Sequence, residues 1–537
     1  MTVRAWLASA IGYVLVTLVL VSPLIDFRHM DDASYQGDAR LLIWTLAWDA
    51  HALLAGEPLF HANMFFPEPE SLRWAEHHVG IAVFALPVYA ITGNAVIAYW
   101  VVWLLAFPLN ALAMQALAYR VTRDGMAAFG AGLVYAFCFF RMHHAHGHVQ
   151  MLWTWPLPLA LLAFEQWLAR PSFRTTASLT ALVLTQALSG WYLAVTLALL
   201  LAVTAALLLA GRRPTKHHVV SGAIALALTA SVLVWFAAPY TGVPGVSVEE
   251  VAGNSADVAS YLVPPENTWP GRLIAEYSTL RPRWIWGEQT LYVGAVTVLL
   301  AVVGLWALRG RRDRLTTAIL AAGAVALALS FGPGGGTSAF DLLTSVPVMS
   351  LLRAPGRFAL LVMMALALLV AIGAAHIRSL GRRWAPAALM ILALLGLSES
   401  YVVGFPGGKP PQMPIPAVYH HLKTLPPGPV LSLPTYRFAP DGFREADYLL
   451  FSTAHWQPVV NGFGRHEPPA HLDHLQIVSR FPAADAIRRL RELGVRYVIL
   501  HTARATELRT TARDAETNPA VTLVGRFGDD VLFTLVR

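Results

Sequence analysis

Residues that could perform acid–base or phosphate chemistry gather in two parts of this sequence. Residues 26–94 hold nine acidic residues and five histidines, and residues 143–148 form the run HHAHGH. A carboxylate beside a substrate hydroxyl can act as a general base, and imidazoles can bind a metal or donate hydrogen bonds to a phosphate. The four histidines lack regular ligand spacing. A polar lining that contacts a phosphate or an acceptor is therefore favoured over a metal site, with unspecific polar turn residues as the alternative.

Two arginines and one glutamate extend this set. Arg353 and Arg357 frame the segment RAPGRF, and a guanidinium can bind a phosphate through two parallel hydrogen bonds. The alternative is that both are interfacial arginines with their charges in the headgroup region. Glu288, in WGEQTLYVG, could orient an acceptor or pair with one of the arginines. Arg141 and Gln150 flank the histidine run, which favours a polar cavity lining there.

The elements that must position these residues are membrane spans. Apolar residues make up 56% of the 537-residue chain and charged residues only 13%, about half the share in soluble domains. Apolar runs near 20 residues recur along most of the chain, which predicts a mainly α, polytopic membrane protein. About eleven transmembrane helices are expected, at 5–25, 95–118, 126–140, 149–168, 175–190, 191–210, 219–238, 290–308, 315–331, 358–377 and 385–403.

The basic residues predict which side of the membrane carries the chemistry. The apolar run 79–93 is too short to cross with ease. If it lies in the interface, 15 basic residues occupy the short inner segments and nine occupy the longer outer loops. If it crosses, the later loops exchange sides and the bias is reversed, against the positive-inside rule. We therefore expect a cytoplasmic N-terminus, a long outer loop at 26–94 and an outer C-terminus.

The C-terminal residues predict a second domain. A Pro/Gly-rich linker at 405–416 precedes alternating signals: strands at 429–433 and 495–501, a helix at 482–494 ended by Gly494, and a hairpin at 521–536. The chain is thus expected to consist of a transmembrane domain, 1–404, and an extracytoplasmic α/β domain, 405–537.

One amphipathic helix is expected within the first outer loop. Residues 38–56 place apolar and aromatic side chains at helical spacing, with Asp38 at the N-cap position and Gly56 at the end. Trp44 and Trp48 suit a helix lying in the headgroup layer.

Several motifs together resemble a known family. They are GDARLLIWTLAWDAHALLAGEPLF after the first span, YRVTRDGMAAFGAGLVYAF (119–137), RMHHAHGHVQMLWTWPLPLALLAFEQWL (141–168), GEQTLYVGAVTVLLAVVGL (287–305), LLRAPGRFALL (351–361) and STAHWQPVVNGFGRHEPP (452–469). The chain resembles the GT-C superfamily of integral-membrane glycosyltransferases, and more narrowly its bacterial YfhO-like and dolichyl-phosphate-mannosyltransferase-like members.

The resemblance implies a reaction and a location. A sugar would move from a polyprenyl-phosphate carrier to a glycan, lipid or protein acceptor on the outer face of the bacterial inner membrane. Asp38 matches the family's catalytic base, with Asp32 as the second choice. The substrate-binding set would be Arg353, Arg357, Glu288, Arg141, His144, His148 and Asp32. A divalent cation, Mg or Mn, is required by some members and not by others.

Two other functions are compatible with the same features. A lipid or sugar transporter would be expected to place ionisable residues at mid-membrane, and the predicted spans have almost none there. A non-catalytic GT-C-like envelope scaffold would not explain the acid-rich and His-rich outer loops. The net charge of +7 is accounted for by the membrane-flanking arginines, and no nucleic-acid partner is expected.

Overall fold

The fold is mainly helical. The structure is a computed structural model that describes residues 1–22, 25, 30, 37–277, 287–309, 313–401, 413–436 and 441–536. In chain order the helices are α1 (Val3–Val21), α2 (Asp38–Ala55), α3 (Val79–Thr92), α4 (Ala95–Thr122), α5 (Gly125–Phe137), α6 (Phe139–His144), α7 (Val149–Leu152), α8 (Pro156–Ala169), α9 (Phe173–Ala187), α10 (Trp191–Leu209), α11 (Lys216–Ala237), α12 (Val248–Gly253), α13 (Val258–Leu262), α14 (Trp269–Tyr277), α15 (Ala295–Ala307), α16 (Arg314–Ser330), α17 (Ala339–Thr344), α18 (Ala359–Ser379), α19 (Ala385–Glu399), α20 (Ala417–Leu422), α21 (Glu445–Ser452), α22 (Pro469–Val478), α23 (Ala484–Glu492) and α24 (Leu508–Thr517). The strands are β1 (Val430–Leu433), β2 (Tyr497–His501), β3 (Val521–Phe527) and β4 (Asp530–Leu535).

The chain divides into two compact units. The helical unit comprises Met1–Asp26, Val102–Trp235 and Gly245–Lys409, and the α/β unit comprises Phe27–Val101, Phe236–Pro244 and Pro410–Arg537. The first-loop residues thus belong to the same unit as the C-terminal residues. The predicted boundary at 404/405 falls outside the described residues, so the division into 1–404 and 405–537 stays a prediction.

Six helices within the described residues are long and apolar enough to cross a membrane: Val3–Val21, Ala95–Thr122, Gly125–His144, Trp191–Leu209, Lys216–Tyr240 and Pro355–Ser379. Four shorter apolar helices lie at Val79–Thr92, Ala295–Ala307, Arg314–Ser330 and Ala385–Glu399. The helix α3 has 14 residues, fewer than the ~20 that a span needs. The count of eleven spans stays a prediction, as does the orientation of the termini.

Small residues allow two helices of the helical unit to pack closely. A Cβ atom on Gly304 of α15 would lie 2.1 Å from the carbonyl oxygen of Leu369, and one on Gly373 of α18 would lie 2.3 Å from that of Leu300. Neither distance is possible for a real Cβ atom, so the two backbones are in direct contact where they cross. Close approach through small residues is a common way for apolar helices to associate.

The α/β unit contains one four-stranded sheet with the order β1-β2-β4-β3. Strands β1 and β2 are parallel, β2 and β4 are antiparallel, and β3 and β4 form the terminal hairpin around Gly528, which has a φ of 67°. The predicted strands and hairpin are confirmed. The predicted helix at 482–494 is confirmed as α23, and Gly494 follows it with a φ of 76°.

The helix α2 is confirmed, but its two tryptophans are not surface residues. Trp44 and Trp48 are 0% and 2% exposed and lie in a core that includes Tyr419 and Tyr448, so they are not the interfacial side chains that the sequence suggested. The position of α2 relative to the headgroup layer stays a prediction. The indole N–H of Trp44 donates to Asn63 Oδ1 at 3.1 Å. Tryptophan suits both settings, because it combines a large apolar ring with one donor.

Candidate functional site

Three segments that are distant in sequence meet at one charged cluster in the helical unit. The Nε of Arg357 donates to Glu288 Oε1 at 2.9 Å, and Arg357 Nη2 donates to the same oxygen. The other carboxylate oxygen of Glu288 lies 3.1 Å from His144 Nε2. The side chains are 6%, 13% and 1% exposed for Arg357, Glu288 and His144. We call these three residues the Arg–Glu–His cluster.

Short backbone elements hold the cluster in place. His144 ends α6, Glu288 precedes α15, and Arg357 lies in a 3-10 helix, Pro355–Phe358, that leads into α18. A Cβ atom on Gly356 would lie 2.3 Å from the carbonyl oxygen of Glu288. Only glycine therefore permits this approach of the two backbones, which brings the Arg357 guanidinium to the Glu288 carboxylate. The guanidinium also lies 5.1 Å from the ring centroid of Tyr192.

The electrostatics of the cluster keep Glu288 ionised. Burial raises the pKa of the Glu288 carboxyl, but the charges of Arg357 and His144 and their hydrogen bonds lower it by more. The net result is a pKa well below the usual range of a glutamate. Glu288 thus compensates the buried charge of Arg357, which alone would be costly in an apolar environment. Of the two roles expected for Glu288, pairing with an arginine is the one observed.

His144 lies between two hydrogen-bond acceptors. Its Nδ1 is 2.8 Å from the carbonyl oxygen of Phe140, and its Nε2 is 3.1 Å from Glu288 Oε2. A neutral imidazole has one N–H, so it can donate to one of these two oxygens. The fixed positive charge of the cluster is therefore that of the Arg357 guanidinium, with Glu288 as its counterion.

Other predicted residues lie around the cluster or away from it. The ring centroids of His148 and His143 lie 5.5 Å and 5.3 Å from that of His144, and both residues are half-buried.

Two predicted arginines lie away from the cluster. Arg353 pairs with Glu250 at 3.6 Å, and both side chains are exposed. Arg141 is fully buried: its Nε donates to the carbonyl of Tyr135 at 2.6 Å and its guanidinium lies 4.0 Å from the Tyr135 ring centroid. The structure thus brings together His144, His148, Glu288 and Arg357.

The predicted base belongs to the α/β unit. Asp38 is the first residue of α2 and its side chain is exposed, while the N-cap residue is Gly37, with a φ of 59°. The prediction that Asp38 itself caps the helix is therefore wrong by one residue. An aspartate in the first turn still faces the positive end of the helix dipole. Asp32 lies outside the described residues.

The described residues offer little to a metal ion. Among them, no group of three or more His, Cys, Asp or Glu side chains is placed to hold one. The adjacent acids Asp31 and Asp32 belong to residues that the structure does not describe. No step of the chemistry proposed below depends on a cation.

Sequence reasoning missed two features that matter for function. Asp49 is fully buried in the α/β unit, where it accepts from His77 Nδ1 at 2.6 Å and from the backbone N–H of His78 at 3.0 Å. Gly356 lies between the predicted substrate-binding residues Arg353 and Arg357. A glycine at such a position is a sequence signal for close approach of two backbones, and that approach was not predicted.

The chain is similar to proteins of known fold and to one sequence family. The family described as "Domain of unknown function (DUF6311)" matches residues 51–398, more than half of the chain. Among curated proteins, none matches this chain.

Three solved structures illustrate the likeness of fold. The arabinofuranosyltransferase AftD from Mycobacteria has a TM-score of 0.57 at 16% identity, over 100% of this chain and 40% of its own. The archaeal oligosaccharyltransferase AglB from Archaeoglobus fulgidus, in complex with an inhibitory peptide and a dolichol-phosphate, has a TM-score of 0.50 at 12% identity, over 96% of this chain and 71% of its own. ArnT from Cupriavidus metallidurans, bound to undecaprenyl phosphate, has a TM-score of 0.51 at 13% identity, over 100% of this chain and 99% of its own.

These relatives differ in length, since this chain spans about 40% of AftD but nearly all of ArnT. All three are GT-C glycosyltransferases, so the resemblance expected from the sequence motifs is confirmed at the level of the fold. The chain belongs to the DUF6311 family and has the fold of the GT-C superfamily.

Proposed function

We propose that this protein is a glycosyltransferase that moves a sugar from a polyprenyl-phosphate carrier to an acceptor on the outer face of a bacterial inner membrane. The observation that carries the proposal is the Arg–Glu–His cluster, which holds a buried guanidinium in a fixed position in a chain of GT-C fold. Two proteins of that fold, AglB and ArnT, have structures with a polyprenyl or dolichol phosphate bound. A lipid phosphate is the ligand that such a cluster suits.

The chemistry assigned to the cluster is stabilisation of the leaving group. The bond between the sugar's anomeric carbon and the carrier phosphate breaks, and that phosphate gains negative charge in the transition state. A fixed guanidinium with donors aimed at the developing charge lowers the barrier, because it needs no reorganisation during the reaction. Arg357 has this role in our proposal, Glu288 and His144 position it, and His148 lines the approach.

The acceptor hydroxyl needs a base. Asp38 takes its proton as the new bond to the anomeric carbon forms, which leaves the glycosylated acceptor and the free carrier phosphate as products. Its exposed position at the start of α2 supports this assignment. Removal of a general base typically lowers a rate by ~10²–10⁴-fold.

The test is a transfer assay with purified full-length protein and a panel of polyprenyl-phosphate sugars. Arg357→Lys keeps the charge but loses the fork of donors, and we expect transfer to fall by about tenfold or more. Arg378→Lys is the matched control: Arg378 lies at the other end of α18, where it pairs with Asp124 and is 36% exposed. We expect Arg378→Lys to transfer like the wild type.

Two further variants decide the other assignments. Asp38→Asn should fold normally and abolish transfer. Arg353→Lys tests whether the second, exposed arginine shares the phosphate. If Arg357→Lys and Asp38→Asn both transfer like the wild type, the assignments of the phosphate site and of the base fail. A well-folded wild type that transfers no sugar from any carrier would favour the alternative function, a non-catalytic envelope scaffold.

The proposal also includes an orientation, with the N-terminus inside and the residues after 404 outside. Reporter fusions at about residues 122 and 420 should read inside and outside respectively. An outside reading at residue 122 would contradict the orientation and the side on which transfer is proposed.

A further inference from the structure

A second buried charged cluster lies in the α/β unit, and the function proposed above does not use it. Asp447, at the start of α21, is 1% exposed and bonded to two arginines. Arg40 of α2 bonds to its Oδ1, and Arg504 donates through Nη1 to its Oδ2 at 2.9 Å. Within the described residues, two guanidiniums therefore share one bonded carboxylate, so the bonded group has one positive charge in excess.

The same cluster has more donors than acceptors. Arg40 is 1% exposed, and its Nε and Nη2 have no hydrogen-bond partner among the residues that the structure describes. Among the same residues, the Tyr436 hydroxyl makes no hydrogen bond of normal geometry, although the Arg504 guanidinium is close enough to interact with it. The Tyr436 ring stacks on Tyr448, over which that guanidinium lies. Buried donors without acceptors are costly, and those on a charged group are more costly than neutral ones.

The hydrogen bond of the remaining Arg504 amino group is a weak one. Its Nη2 donates to the sulfur of Met413 at 3.4 Å, and a thioether is a poor acceptor. Met413 is half-buried and Arg504 is 15% exposed, so among the described residues this side of the cluster is the nearest to solvent. A methionine side chain is flexible and can be displaced at low cost.

Neighbouring acids do not supply the missing acceptor. Both oxygens of Glu445 are taken, one by the backbone N–H of Tyr436 and the other by Asn461. Asp530 is bonded to His501 at 2.7 Å. Within the described residues the two guanidiniums therefore have Asp447 as their one bonded carboxylate.

We propose that Arg40, Arg504 and Tyr436 bind a singly charged oxyanion, a carboxylate or a phosphodiester, that displaces the Met413 side chain. One negative charge balances the cluster, and two or more oxygens match the unpaired donors. Charge-assisted hydrogen bonds from guanidinium to such oxygens are among the strongest in proteins. The inference rests on the proposed function in one respect, that the anion belongs to the acceptor. Asp38 and Arg40 both lie in the first turn of α2, so the acceptor's charged group would be held at the same end of this helix as the base.

Binding can be measured without any transfer. The full-length protein is unfolded by heat in detergent at several concentrations of sodium glucuronate, of glycerophosphoglycerol and of uncharged glucose. A ligand that binds only the folded state raises the unfolding temperature in a concentration-dependent way. We expect one or both anions to do so and glucose to have no effect. A response to glucuronate alone identifies a sugar carboxylate, and a response to glycerophosphoglycerol alone identifies a phosphodiester.

Three variants complete the test. Arg504→Lys should weaken the anion's apparent affinity about tenfold. Met413→Ala keeps every charge and should bind more tightly, because no side chain must be displaced. Arg526→Lys is the control, since Arg526 forms an exposed ion pair with Glu516 in the same unit. The inference is overturned if neither anion stabilises the wild type, or if Arg504→Lys responds like Arg526→Lys. These outcomes do not depend on the transfer assay, so failure here leaves the proposed function standing.

Discussion

Replacing Glu288 with glutamine isolates the charge of the Arg–Glu–His cluster from its hydrogen bonds. The glutamine Oε1 can accept from Arg357, and its Nε2 can donate to the Nε2 lone pair of a neutral His144. The three side chains therefore keep their contacts. The variant loses only the negative charge that compensates Arg357, whose side chain is 6% exposed.

The expected cost is large because the pair is buried. At the 2.9 Å separation of Arg357 Nε and Glu288 Oε1, unit charges attract by about 6 kcal/mol at an effective dielectric constant of ~20. Desolvation offsets part of that attraction, and breaking a buried pair by removing one partner typically costs about 3–5 kcal/mol. We therefore expect Glu288→Gln to lose about 3 kcal/mol of unfolding free energy at neutral pH.

Thermal unfolding across pH provides the assay. Since the pKa of Glu288 is depressed in the folded state, its stabilising contribution is complete above the unfolded value of about 4.3 and is lost as pH falls through the folded pKa. The gap between wild type and Glu288→Gln should be constant at neutral pH and should close only in acid well below pH 4.3.

A matched control is Glu250→Gln, which removes the exposed partner of Arg353. We expect it to unfold like the wild type, because exposed ion pairs contribute little to the free energy of unfolding.

Polyprenyl phosphate should still bind Glu288→Gln, because the positive charge of Arg357 then has no negative partner in the cluster. The reasoning is refuted if Glu288→Gln is as stable as Glu250→Gln at pH 7.

Three more predictions concern other parts of the chain. Asp49→Asn should lose about 2 kcal/mol of stability in thermal unfolding, because a fully buried, charge-assisted pairing is lost, whereas the exposed Glu57→Gln should not change it. Gly356→Ala should fold but transfer sugar poorly, since its Cβ would force apart the two backbones that form the cluster; Gly245→Ala, whose Cβ meets nothing within 4 Å, should transfer normally. Burial raises the pKa of Glu445 to about 7, so stability should fall as pH rises from about 4.3 to 7, and Glu445→Gln should abolish that slope. Equal slopes in the two proteins would contradict the last prediction.

Local sequence signals predicted much of the secondary structure. Gly56 and Gly494 ended their helices as expected, and the hairpin around Gly528 formed where the turn residues indicated it. These outcomes depend on neighbouring residues, which a single sequence displays directly. The burial of α2 could not be predicted in the same way, because the residues that cover Trp44 lie near positions 419 and 448, almost 400 residues away.

The candidate site was predicted as a set of residue types but not as a set of contacts. Positive-inside counting placed His144, Glu288 and Arg357 in outer regions, yet no spacing rule says which arginine pairs with Glu288. The two candidates, four residues apart, have opposite surroundings: one is buried in the cluster and the other is an exposed partner of Glu250. Arg141 shows the same limit, since its packing on Tyr135 follows from how α5 and α6 meet.

The glycine contacts between α15 and α18 bear on how the phosphate would be recognised. Glu288 lies seven residues before α15 and Arg357 two residues before α18, so the helices that meet at Gly304 and Gly373 carry the two halves of the cluster. Backbones packed this closely leave little room for the two helices to shift, because protein interiors are close-packed. We therefore expect the spacing of the charged groups to be set before any ligand arrives, so that binding loses little conformational entropy at this point. Calorimetry of polyprenyl phosphate binding should then show only a small loss of conformational entropy. In such a preformed site, selectivity among carriers comes from shape and charge and not from closure of the protein around the ligand.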